Sequence, residues 1–167
     1  MSLNTIKFSK NNIADLYKNT LVELGGDNSP TQSPSNQTQW KYLGENKKNA
    51  LIVIKDPDAV HIPDKQLSFL INLLNACKLN LGDIAVLNFH HYSAKNFNDI
   101  IFYFKPKTVF LFGVEPAEFG MPVLFPHFQV QSYKEATYLF SPSLQDTEPD
   151  KILKSKLWVC LKKIFNL

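Results

Sequence analysis

Asp56 is the residue best placed to do chemistry. It follows the apolar run Ala50-Leu51-Ile52-Val53-Ile54 after a single lysine, in Lys55-Asp56-Pro57-Asp58. Open α/β sheets put their sites in polar loops at the C-terminal ends of buried strands. A carboxylate there could orient an attacking water. The same Asp-Pro-Asp composition also makes an ordinary turn, with the carboxylate bonded to local backbone.

Other residues carry less. His90 and His91 follow the run Ile84-Ala85-Val86-Leu87-Asn88. On an extended chain adjacent side chains point to opposite faces, which makes the pair poor joint metal ligands. His61 and His127 stand alone, and neither Cys77 nor Cys160 has the close Cys or His spacing of a zinc site. Gly113-Val114-Glu115-Pro116 has one glycine, neither the dinucleotide fingerprint nor the phosphate-loop lysine pattern. No cofactor and no metal is expected. Ser141 and Ser143 lack a glycine-flanked nucleophile elbow, and their hydroxyls are expected to bond turn backbone. Cys77 and Cys160 sit in apolar helical patterns and read as buried free thiols. Trp158 lies off the main stripe of the last helix, as a partner-binding anchor or an edge of the core.

The elements that position these residues alternate. Residues 50–54, 84–88 and 108–112 are apolar on both faces, as in central parallel strands. Between them, Leu67, Leu70, Ile71, Leu74 and Cys77 predict a helix over 64–78 capped by Asp64. Phe97, Ile100, Ile101 and Phe104 predict another, ended by Lys105-Pro106. Val114–Pro126 reads as a long loop with one helical turn near Glu115–Phe119, then short extended segments over 128–130 and 137–140. Thr147 with Asp150 resembles a capping box opening a last helix. Its apolar stripe is Leu153, Leu157, Leu161, Ile164 and Phe165, and its lysines form a solvated face. Strand–helix–strand order predicts an α/β fold: a mainly parallel sheet with helices on both faces.

Upstream, Ile13, Leu16, Tyr17, Leu21 and Leu24 repeat at helical spacing and Gly25-Gly26 ends the pattern. Residues 1–24 read as an N-terminal helical arm whose stripe is a candidate partner-binding surface. Residues 25–39, rich in Ser, Pro, Asn and Gln, read as a flexible polar linker. The α/β domain then runs over 40–167.

At 167 residues the chain is long enough for one domain with a real core. The net charge is +3 and every basic residue is lysine. Arginine is the preferred residue for bidentate phosphate and base contacts, so its absence argues against sequence-specific DNA reading and leaves only weak DNA contact. No stretch approaches the ~18–20 apolar residues of a membrane span. The start Met1-Ser2-Leu3-Asn4 lacks the charged and apolar regions of a secretory signal. A cytoplasmic protein without membrane association is expected.

The segments resemble the uracil-DNA glycosylase fold, a three-layer α/β architecture. In that family a strand runs into a Gln-Asp-Pro-Tyr-type loop whose aspartate positions water, and Lys55-Asp56-Pro57-Asp58 stands in its place. The family's His-Pro-Ser-Pro-type loop would be Ser141-Pro142-Ser143-Leu144, with serine in the histidine position, and Asn88 would match the uracil-reading asparagine. A closer resemblance is to the psi-subunit family of bacterial DNA polymerase III, which looks like a catalytically silent relative of that fold. It is carried by the strand ending at Asp56-Pro57, by Ser141-Pro142-Ser143-Leu144, and by Asp150 and Leu157-Trp158. It implies a non-enzymatic interaction subunit in DNA replication, with clamp-loader and chi-like proteins as partners. Ile13, Leu16, Tyr17, Leu21 and Trp158 would serve in binding. The alternative is a divergent glycosylase-superfamily enzyme built on Asp56, Asn88 and Ser141. The missing histidine argues against it, since a comparable lost electrostatic contact costs ~3–4 kcal/mol.

Overall fold

A computed structural model of the chain describes residues 39–92 and 96–167. The helical arm expected over 1–24, and all of the linker but Gln39, lie outside the described residues.

The three doubly apolar runs form the middle of a six-stranded sheet. Its strands are β1 Tyr42–Gly44, β2 Ala50–Ile54, β3 Ile84–Asn88, β4 Thr108–Phe112, β5 Val130–Tyr133 and β6 Ala136–Ser141. The order is β1-β3-β2-β4-β6-β5. Strands β3, β2, β4 and β6 are mutually parallel, while β1 and β5 add antiparallel edges. The result is a mixed α/β fold in which helices flank a mostly parallel sheet.

Alternation along each strand feeds two cores. Leu51, Val53, Ala85, Leu87, Val109 and Leu111 face one, which Phe97, Ile100 and Phe104 cover together with Phe119 and Met121. Ala50, Ile52, Ile54, Ile84, Val86, Phe110 and Phe112 face the other, under Phe69, Leu70, Leu74, Leu157 and Leu161. Each large aliphatic or aromatic side chain so buried contributes about 1.5–3 kcal/mol. This two-sided burial is why the strands lack a polar alternation.

The helices are α1 Asp64–Ala76, α2 Phe97–Phe104, α3 Leu144–Thr147 and α4 Lys151–Phe165. Several details differ from the sequence expectations. Asp64 is the first residue of α1 and not its cap; Pro63 holds the cap position and supplies no side-chain bond, as suits a residue with no amide to lose. Thr147 does not open the last helix. It is buried at the end of α3, and its hydroxyl donates to the Pro142 carbonyl at 3.4 Å. Asp150 caps α4, accepting from the amides of Ile152 and Leu153 at 2.7 and 3.1 Å. Phe128 is not extended: its φ is 60°. The strand begins at Val130 and forms a hairpin with β6 through Lys134 and Glu135, both at positive φ, as a two-residue primed turn requires. Lys105, also left-handed, ends α2 before Pro106 as expected.

Candidate functional site

The C-terminal ends of β2, β3, β4 and β6 lie in one register row: Asn88 opposite Ile54, Ile54 opposite Phe112, Phe112 opposite Ser141. The loops after these strands therefore emerge along one edge of the sheet. Asp56, Asn88 and Ser141 all stand on or just past that row.

Asn88 is fully buried. Its Nδ2 donates to the carbonyls of Asp56 and Ala59 at 2.8 and 2.7 Å. Its Oδ1 accepts from the amides of Asp56 and His90, each at 3.1 Å. A carboxamide has two N–H donors and one oxygen with two lone pairs, so its hydrogen-bonding capacity is filled. Asn88 staples the loop after β2 to the end of β3.

Asp56 is also engaged locally. Its Oδ1 accepts from the amides of Asp58 and Ala59 at 3.0 and 2.9 Å, which is an Asx turn. Its carboxylate is half-buried. Lys55 next to it forms an ion pair with Glu118 in the loop after β4.

Ser141 sits three strand spacings from Asn88, about 14 Å at ~4.8 Å per strand. The edge thus brings Asp56 and Asn88 together and keeps Ser141 apart from them. Ser141 is 1% exposed, and its hydroxyl has no hydrogen-bond partner among the described residues. The expectation that it bonds turn backbone is therefore corrected: β6 points it into an apolar core. Ser143 does make such a bond. Its Oγ accepts from the Asp146 amide at 3.1 Å and donates to Asp146 Oδ2 at 2.7 Å, opening α3.

His90 and His91 are not on extended chain. A 3-10 turn over Phe89–Tyr92 brings their rings to 5.6 Å, nearly perpendicular. His91 Nε2 lies 2.9 Å from the Ala59 carbonyl. His127 packs on Phe140 at 4.1 Å. No cluster of three or more His, Cys, Asp or Glu side chains among the described residues could hold a metal ion.

An open cleft of about 640 Å³ lies beside the Asp56 loop. Asp56, Asp58, His61 and Asp64 line it with Val60 and Leu67. Its acidic lining disfavours a phosphate backbone. A cleft at Asp56 follows from its place after a buried strand, but Ser141 does not line it, and its shape depends on how the loop folds over the start of α1.

Cys77 and Cys160 are buried and unpaired as disulfides. Burial pushes both thiols up; for Cys160, nearby Lys163 opposes that more weakly. Trp158 is half-buried and packs at the margin of the core under α1 and α4. Ile13, Leu16, Tyr17 and Leu21 lie outside the described residues. No helix among the described residues is long and apolar enough to cross a membrane.

No protein-family model matches this chain, and no curated protein sequence does.

Proposed function

We propose that this chain is a non-catalytic interaction subunit, of the kind represented by the psi subunit of bacterial DNA polymerase III, on a uracil-DNA glycosylase-like scaffold. One observation carries the non-catalytic part. Asn88, the side chain a glycosylase would need to read a base, has all four of its hydrogen bonds committed to backbone. A base entering the site would have to break two of them or find no partner. The Asp56 turn and the distant, buried Ser141 point the same way. The glycosylase-like part draws support from the parallel order of β3, β2, β4 and β6, with the Asp56-Pro57 and Ser141-Pro142 segments leaving one edge of the sheet. The psi-like partners, clamp-loader and chi-like proteins, come from the sequence resemblance and belong to the same proposal.

The test is release of uracil from single- and double-stranded DNA, paired with co-purification against clamp-loader proteins. The expected result is no release, and co-purification that depends on residues 1–38. Release abolished by Asp56→Asn would overturn the non-catalytic proposal. Absence of co-purification would remove the psi-like partners.

A further inference from the structure

Helix α4 buries Leu157, Cys160 and Leu161 against the sheet. Its opposite side has a pattern of its own. Ile152 and Val159 are 67% and 60% exposed. With Ser155 between them, they fall within about 60° of arc on a helix of 3.6 residues per turn. The spacing of three and then four residues is that of a heptad seam, with a small residue at the middle position that lets a second backbone come close.

Lysines border the strip on both sides. Lys151 and Lys162 lie along one margin, Lys156 and Lys163 along the other, and all four are exposed. No acidic residue occurs between Lys151 and Phe165. None of the four lysines pairs with a described carboxylate. Two exposed apolar side chains thus stand between lysines that pair with no described carboxylate.

We propose that this outer strip of α4 docks an amphipathic helix of a partner protein whose apolar seam is flanked by Asp and Glu. The proposal rests on the interaction-subunit reading above and names the chemistry of one partner. Charge complementarity selects the acidic flanks, because charges beside a heptad seam set partner choice. The aliphatic centre selects a protein. A nucleic-acid backbone offers Ile152 and Val159 nothing apolar, and the strip exposes no arginine or aromatic for base contact. A bilayer is met by a broad apolar helix face, and the broad apolar face of α4 is already buried in the domain.

The experiment uses the full chain and a labelled three-heptad peptide with leucine at the seam and glutamate on both flanks. Fluorescence anisotropy should report binding of this peptide, and none of its counterpart with lysine flanks. Lys156→Glu combined with Lys163→Glu should weaken binding about tenfold or more. Val159→Ser should weaken it while leaving the salt dependence in place. These side chains are exposed, so the variants should stay folded. The melt of Val159→Ser should overlay that of the parent chain. That of the lysine pair should fall slightly below it, because Lys163 complements the C-terminal end of the helix dipole and Lys156 lies over the Phe128 ring. Failure of the acidic peptide to bind would overturn the proposal. So would unchanged binding by the lysine variant, or tighter binding to phosphatidylserine–phosphatidylcholine vesicles or to oligothymidylate. None of these outcomes alters the uracil-release result, so failure here and failure of the non-catalytic reading are separable.

Discussion

Asn88 and Asp56 exchange hydrogen bonds in both directions: Asn88 Nδ2 donates to the Asp56 carbonyl, and the Asp56 amide donates to Asn88 Oδ1, at 2.8 and 3.1 Å. They are 32 residues apart in the chain. Replacing Asn88 with Ala would strand several buried backbone groups at once. We expect a loss of about 3 kcal/mol, read as a shift in the urea midpoint. Asp56→Ala removes only the Asx-turn acceptor of a half-buried carboxylate and should cost about 1 kcal/mol. Equal costs for the two would mean that the asparagine is not the staple of this loop.

Gly113 leaves β4 with φ at +67°, and an added Cβ would meet Ser143 Cβ at 3.0 Å. Both the backbone conformation and the contact oppose a side chain there. Gly113→Ala should lower stability by about 1–3 kcal/mol. A variant as stable as the parent chain in chemical denaturation would refute this.

Burial, with a smaller contribution from Tyr133, pushes the Tyr138 phenol up to about 12 from 10.0. The neutral phenol is the form the fold favours. Its stabilisation is complete below pH 10 and is lost as pH rises from 10 toward 12. The amount is about 2–3 kcal/mol. Denaturation of Tyr138→Phe across that window should lack this part of the alkaline loss. An identical pH profile for both proteins would exclude Tyr138 as its source.

Burial also raises the Cys77 and Cys160 thiols, so less reactive thiolate is present. Both should alkylate at least about tenfold more slowly in the native protein than in urea. Cys160 Sγ additionally donates to the Phe128 carbonyl at 3.2 Å. Cys160→Ser should keep that bond, and Cys160→Val should lose it. Rapid labelling of either thiol under native conditions would contradict their burial.

The parallel strands were legible in the sequence because two-sided burial writes itself as an unbroken run, as in Ala50–Ile54 and Thr108–Phe112. Strand β1 was not: three half-buried residues on an edge leave no pattern to read. Asp56 could be singled out by its place after β2. Its partnership with Asn88 could not, because the pairing of β2 with β3 sets it across a long sequence separation. Thr147 and Asp150 both suit a helix N-terminus, so residue pattern alone leaves the start of α4 open. The short helix α3 between Ser143 and Glu148 decides between them. The outer strip of α4 was hidden for a different reason: the inner stripe accounts for the helix, so Ile152 and Val159 register as apolar residues out of phase.

Among the described residues, the outermost strands of the sheet offer little to an incoming strand. Strand β1 spans three residues and ends at Gly44, whose φ of 103° turns the chain away. Strand β5 spans four, set between Phe128 at φ 60° and the tight Lys134-Glu135 turn. Edge-to-edge addition needs a longer run of free amides and carbonyls in register. A sheet with edges of this kind resists fibril-like stacking by strand addition.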